Sequence, residues 1–277
     1  MSVTANEQDQ IIRELGVTAK FDAGDEIERR TAFLKEYLVA SGMKTFVLGI
    51  SGGVDSLTAA MLAQRAARQL RESGHAAEFV AVRLPYGTQA DEDDAQRALN
   101  TIGADRNVTV NIKDAADAML KAAKQGGLSF ANAGEEDFIL GNIKARQRMI
   151  AQFALAGALR GIVIGTDHAA EAVMGFFTKF GDGAADILPL AGLNKRRVRL
   201  VAKTLGAPEE LVFKVPTADL ESNRPLRPDE DAYGVTYDQI DDFLEGKPID
   251  EAARQRILST YHTTAHKRAL PVAASDF

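Results

Sequence analysis

The run Gly49-Ile-Ser-Gly-Gly-Val-Asp-Ser56 has the residue types of an anion-binding loop. It ends an apolar, β-rich stretch, Thr45-Phe-Val-Leu-Gly-Ile50, and precedes a segment with helical apolar spacing from residue 55. Glycines at such a junction let the backbone approach an anion closely. The exposed N–H groups and dipole at a helix start favour phosphate. Ser51 and Ser56 add hydroxyl donors. Asp55 is discordant, because a carboxylate repels phosphates unless a cation such as Mg²⁺ bridges them, with Asp55 as an oxygen ligand. Neither GxxxxGK[ST] nor a full GxGxxG occurs, since Gly181-Asp-Gly183 lacks the third glycine. A tight strand-to-helix turn without a ligand is the competing interpretation, and the placement of the loop argues against it.

A second acidic candidate is Glu171, in Gly165-Thr-Asp-His-Ala-Ala-Glu171. Alone it reads as a solvated helix face. Its position just past a strand-like run, Gly161-Ile-Val-Ile-Gly165, favours a functional role. His168 invites a metal reading, but with four histidines and no HExxH a zinc site is not expected. The acids Asp91-Glu-Asp-Asp94 suit the first turn of a helix.

These groups need a scaffold. Residues 25–41 read as an amphipathic helix, 45–50 as a buried strand and 55–73 as a helix. The alternation continues with strand 79–84, helix 91–102, strand 108–112, helix 114–125, a long helix over 135–160, strand 161–165 and a short helix over 167–175. Ile187-Leu-Pro-Leu190 is expected as an edge strand, where proline is tolerated, and 194–206 as a helix. Alternating strands and helices predict an α/β fold with a doubly wound parallel β-sheet and helices on both faces. Residues 176–186 and 215–229 fit no regular element and are candidate mobile lids.

The 277 residues suit a single α/β domain over 1–277, and 45% hydrophobic residues supply its core. A net charge of −6 argues against a nucleic-acid partner. The absence of cysteine excludes thiolate chemistry and disulfides. The sequence shows no signal peptide and no apolar run of the ~20 residues a membrane span needs, so no membrane partner and a cytoplasmic location are expected.

The SGGxDS loop resembles that of the ATP pyrophosphatase (adenine-nucleotide α-hydrolase-like) family, whose members cleave ATP between the α- and β-phosphates. Further stretches narrow the resemblance: Arg83-Leu-Pro-Tyr-Gly87, Gly141-Asn-Ile-Lys-Ala-Arg146, the segment ending in Glu171, Gly175-Phe-Phe-Thr-Lys-Phe-Gly-Asp-Gly183, Leu193-Asn-Lys-Arg196, Pro216-Thr-Ala-Asp-Leu220 and His266-Lys-Arg268. In this order, from about residue 10 to 270, they look like the ammonia-dependent NAD synthetase family. Val54 departs from the glutamine common in relatives.

The resemblance implies the last step of NAD biosynthesis: ATP-dependent amidation of deamido-NAD by ammonia through an acyl-adenylate, giving NAD, AMP and pyrophosphate. By motif, Gly49, Ile50, Ser51, Gly52, Gly53, Val54, Asp55 and Ser56 would hold ATP phosphates, and Arg83, Thr166, Lys195 and Thr217 would also contact ATP. Arg146, Lys179, Asp186, His266 and Lys267 would contact deamido-NAD, with Phe130 a weaker candidate for stacking on the nicotinate ring. Asp55 and Glu171 would bind Mg²⁺, with Lys195 the third catalytic group. The resemblance also implies a homodimer, to which small residues such as Ala151, Ala154, Gly157 and Ala158 on the long helix are suited. Two alternatives stand beside it. One is a tRNA-modifying ATP pyrophosphatase, which the charge and lack of cysteine oppose. The other is a non-catalytic adenine-nucleotide sensor, which needs no pairing of Asp55 with Glu171.

Overall fold

The computed structural model describes residues 3–87, 92–218, 227–269 and 271–274. Its elements in chain order are α1 (Val3–Glu14), α2 (Ala23–Ala40), β1 (Thr45–Gly49), α3 (Val54–Glu72), β2 (Glu78–Arg83), α4 (Glu92–Ile102), β3 (Arg106–Thr109), α5 (Lys113–Gln125), α6 (Ala133–Leu159), β4 (Gly161–Val163), α7 (Ala169–Met174), α8 (Lys195–Thr204) and α9 (Glu209–Val212). The remainder comprises β5 (Thr217–Ala218), β6 (Arg227–Pro228), α10 (Asp229–Tyr233), α11 (Tyr237–Leu244), α12 (Glu251–Thr263) and α13 (Ala265–Arg268).

The first four strands form a parallel sheet in the order β3-β2-β1-β4, and β5 and β6 pair antiparallel. Side chains alternate across a strand with period 2. Phe46, Leu48, Phe79, Ala81, Ile162 and Ile164 accordingly enter one core with α2, α3 and α8, while Val47, Val80, Val82 and Val163 enter another under α6. Both faces are covered, as the apolar strand runs require. The strand order reverses between β1 and β4, and ligands bind in such a crevice beyond the strands' carboxyl ends. A third apolar cluster packs α1, α7, α10, α11 and α12 together beside this crevice.

Three expectations need correction. The third strand begins at Arg106 rather than 108, because Asp105 anchors that end by accepting a hydrogen bond from Phe79 N at 2.9 Å. Ile187–Leu190 is no strand: a single parallel bridge joins Ile187 to Ile164. The chain then turns away at Pro189, which has no N–H to donate and whose carbonyl accepts from Arg30. Beyond residue 206 the sequence reading placed no helix, yet α9 to α13 occupy much of that region. Asp91 and the lid residues 219–226 lie outside the described residues. No helix among the described residues is long and apolar enough to cross a membrane.

Candidate active site

The loop after β1 turns sharply into α3. Gly52 has φ +84°, and a Cβ there would lie 3.0 Å from the backbone nitrogen of Ala95 in the first turn of α4. Glycine is thus required both by the left-handed backbone and by the close approach of a second helix. The loop is cross-braced: Ser51 Oγ lies 3.1 Å from Ser56 Oγ and accepts from Gly53 N at 3.2 Å. No side chain caps the N-terminus of α3, so its first N–H groups are left for a ligand.

Asp55 follows immediately, and a charged cluster surrounds it. Lys195, the first residue of α8, is buried and puts its ammonium 2.7 Å from Asp55 Oδ2. His168, the N-cap of α7, places Nε2 3.4 Å from Asp55 Oδ1 and 3.7 Å from Glu171 Oε1. One ligand atom each from Asp55, His168 and Glu171 lie within 4.8 Å of one another. Among the described residues, Asp55 Oδ1 and Asp229 Oδ1 are buried without a hydrogen-bond partner.

The ionisations diverge across this cluster. Burial acts to raise the Asp55 carboxyl, but the Lys195 ammonium and His168 outweigh it and hold it well below the usual carboxylate range. Burial, with the Asp55 charge beside it, lifts Glu171 well above that range. Burial opposes the charge on Lys195, yet Asp55 and Glu171 raise its pKa and keep it an ammonium. Burial lowers His168. Asp167, pushed up to about 7 by burial and then by Asp182 and Asp55, completes the pattern. Displaced ionisations of this kind concentrate at functional sites.

The cluster opens into a cavity of about 420 Å³ at the sheet's carboxyl end. Of the sequence-derived candidates, Gly49, Ile50, Ser51, Gly53, Val54, Asp55, Ser56, Arg83, Thr166, Glu171, Lys195, Thr217 and Lys267 line it. Arg83 is held by the Ile50 carbonyl and by Glu92 at 2.9 Å. Lys267 donates to the carbonyls of Gly175 and Phe177, each at 2.9 Å. Arg146 and Lys179 stand outside the lining but join the same corner: Arg146 donates to the Lys179 carbonyl at 3.2 Å, and Lys179 to that of His266 at 2.6 Å.

Two candidates sit elsewhere. Asp186 accepts from Val163 N at 2.7 Å, which fastens its segment to β4, and it is not among the residues lining the cavity. Phe130 lies before α6, its ring 5.8 Å from Lys124 Nζ. Sequence reasoning missed Gln152, Arg148, Asp182, Lys214 and Asp229, all of which line the cavity. Gln152 Oε1 accepts from Gly49 N at 2.7 Å, tying α6 to the glycine loop, and Arg148 bonds the Leu84 carbonyl at 3.1 Å. Their i,i+4 spacing, which puts both on one face of α6, was the available signal.

The chain matches the family described as NAD synthase over residues 26–271. It is 64% identical over 270 residues to the NH(3)-dependent NAD(+) synthetase of Paraburkholderia phytofirmans, covering 98% of this chain and 94% of the relative. The crystal structure of NAD+ synthetase from Burkholderia pseudomallei superposes with a TM-score of 0.85 at 60% identity, covering 98% of this chain and 99% of that one. NMN synthetase from Francisella tularensis superposes with a TM-score of 0.79 at 36% identity, covering 92% of this chain and 99% of that one. The structural neighbours share the adenine-nucleotide α-hydrolase-like architecture of a helix-flanked parallel sheet. A family match spanning the crevice and both flanking cores, joined to near full-length identity of this order, shows that the chain belongs to the NAD synthase family.

Proposed function

We propose that this chain amidates deamido-NAD with ammonia at the expense of ATP, forming NAD, AMP and pyrophosphate through an acyl-adenylate. The enzyme is a ligase that forms a C–N bond. One observation carries the reading of the site: an uncapped, glycine-lined helix start and the Asp55–Lys195–Glu171 cluster converge on one crevice at the sheet's switch point.

In the first step a carboxylate oxygen of the nicotinate attacks the α-phosphorus of ATP, and pyrophosphate leaves. Residues Gly49 to Ser56 cradle the departing phosphates with backbone N–H groups and hydroxyls. The Lys195 ammonium, fixed beforehand by Asp55, stabilises negative charge growing on the phosphoryl oxygens. Ammonia then attacks the acyl carbon, a proton is lost, and AMP leaves with the former carboxylate oxygen. No protein nucleophile is needed, in keeping with a chain that has no cysteine. Lys267, Arg146, Lys179 and His266 form the corner that receives deamido-NAD. The segment 176–186, with residues 215–217 and 228–229 at the cavity wall, would shield the acyl-adenylate from water.

The acidic pair fits a divalent cation, since Asp55 Oδ1 is buried without a hydrogen bond, 3.4 Å from His168 Nε2, and Glu171 supplies oxygen within the same small space. Asp55 and Glu171 would hold Mg²⁺, which when bound neutralises phosphate charge and polarises the phosphoryl group. A homodimer is supported by α6, which exposes Ile150 (51%) on the same helical face as the exposed small residues Ala154 and Gly157. The ATP and dinucleotide substrates agree with action in the cytoplasm.

The test is to incubate purified protein with Mg-ATP, deamido-NAD and ammonium, then quantify NAD and AMP. Equal accumulation of both is expected. AMP without NAD overturns the assigned acceptor, and a parallel arm with nicotinate mononucleotide shows whether the smaller acid is used instead. Neither product from folded, ATP-binding protein favours the sensor reading.

A further inference from the structure

Lys195 meets Asp55 across 140 residues of chain, and something must fix where its ammonium stands. The α8 N-terminus is held from outside by another helix. Lys195 N donates to Asp241 Oδ1 at 3.0 Å and Arg196 N to Asp241 Oδ2 at 2.7 Å, so one carboxylate spans the first two amides. Arg197 N is satisfied by Asn194, the N-cap, at 3.0 Å. Asp241 is 1% exposed and sits within α11. One turn earlier on the same face, the Tyr237 ring centroid lies 4.8 Å from Lys195 Nζ, and its hydroxyl donates to Asp229 at 3.0 Å. Helix α11 therefore grips Lys195 at both ends, its amide through Asp241 and its ammonium through Tyr237.

We propose that Asp241 and Tyr237 are positioning residues for the reaction, setting the place of the Lys195 ammonium relative to Asp55. This rests on the reading that Lys195 acts on the phosphates of ATP. Neither residue need touch substrate: Asp241 acts through the backbone of Lys195, and Tyr237 through the face of its ring. A carboxylate that only capped α8 would affect the folded fraction and leave turnover per folded molecule unchanged. A positioning residue affects kcat, because misplacing a preorganised group by about an ångström can cost ~10²-fold.

The test compares Asp241→Asn, Tyr237→Leu, Lys195→Met and the control Asp238→Asn, in NAD formation well below each melting temperature. Asp238 is chosen because its side chain is 86% exposed and, among the described residues, pairs with the Arg196 guanidinium alone, at 3.3 Å. Asp241→Asn keeps the size but sets an NH₂ against one of the two amides. Its kcat should fall by ~10-fold or more, with KM for ATP and deamido-NAD within about threefold. Asp238→Asn should match the parent in both. Unchanged kcat in Asp241→Asn, or a fall no larger than its loss of folded protein, overturns the proposal. If Asp241→Asn yields no folded protein, Tyr237→Leu decides in its place: the same selective loss of kcat supports the grip, and parental kcat overturns it. Lys195→Met separates the two readings. Parental turnover there removes the role of Lys195 itself, whereas an inactive Lys195→Met beside a fully active Asp241→Asn removes only the positioning.

Discussion

Replacing Lys195 with methionine should damage both stability and turnover, by amounts the structure bounds. The side chain is buried and its ammonium lies 2.7 Å from Asp55 Oδ2, with Glu171 in the same cluster. Methionine fills a similar volume but leaves two carboxyl groups without their cation. Orphaning one partner of a buried pair costs about 3–5 kcal/mol. Asp55 keeps 17% of its side chain exposed to the cavity, so water returns part of that, and about 2–3 kcal/mol is expected. For a chain of this size this is a fall of roughly 3–5 °C in melting temperature. The parent pair contributes nearly constantly from pH 5 to 8, because a carboxyl held below its ordinary value loses its contribution only as pH falls through that depressed value. In the variant, burial is no longer opposed by Lys195, so protonation relieves the penalty and the deficit should shrink towards pH 5. Turnover should drop ~10²–10³-fold, the loss typical of one preorganised charge-stabilising donor.

Thermal melts without Mg²⁺ at pH 8 and pH 5, together with saturating-substrate kinetics, measure both effects. Melting within 1 °C of the parent at pH 8, with kcat within about threefold, would refute the account of the pair and of the reaction together. Lost stability with parental kcat would mean that Lys195 is a structural counter-ion only. Added Mg²⁺ should raise the variant's melting temperature more than the parent's, since it restores positive charge between Asp55 and Glu171.

Three further outcomes are expected. Gly52→Ala places a Cβ at φ +84° and 3.0 Å from the Ala95 backbone; it should destabilise by about 1–2 kcal/mol from backbone strain alone and weaken ATP binding more than tenfold by calorimetry, whereas affinity within twofold would contradict the tight loop. Asp167→Asn removes a carboxyl whose pKa burial, Asp182 and Asp55 raise to about 7. A raised folded pKa makes stability fall as pH climbs from the unfolded value to the folded one, so the variant's advantage in chelator-treated melts should grow up to pH 7 and level above it. Its ceiling is ~4 kcal/mol, reduced by solvent screening because the residue is only half-buried; an advantage independent of pH would refute the shift. Ile150→Arg on the outer surface of α6 should turn a dimer into monomers by light scattering at micromolar concentration, and a parent that is already monomeric would refute the proposed association.

What the sequence made legible depended on how local each determinant is. The strand runs and Ser51-Gly-Gly-Val-Asp-Ser56 could be read because a strand, a turn and a helix start are specified by adjacent residues. The Ile187–Leu190 strand failed because its apolar pattern said nothing of Arg30, whose guanidinium takes the carbonyls of Pro189 and Ala191. Asp55, Glu171 and Lys195 were joined only through resemblance, since no periodicity links the first turns of three separate helices, α3, α7 and α8. Asp241 is the instructive omission. In Tyr237-Asp-Gln-Ile-Asp-Asp-Phe-Leu244 it stands among other acids, Asp238 and Asp242, in a region where the sequence reading placed no helix. Yet it shares a helical stripe with the buried Tyr237, Ile240 and Leu244, whereas Asp238 one turn away does not. A carboxylate on an apolar stripe is too costly to bury without donors, so its position alone demands that N–H groups face it. The richest unpaired donors a helical protein offers are the first turn of another helix. That chain of reasoning leads from the pattern of α11 to a helix N-terminus, and here the residue at that terminus is Lys195.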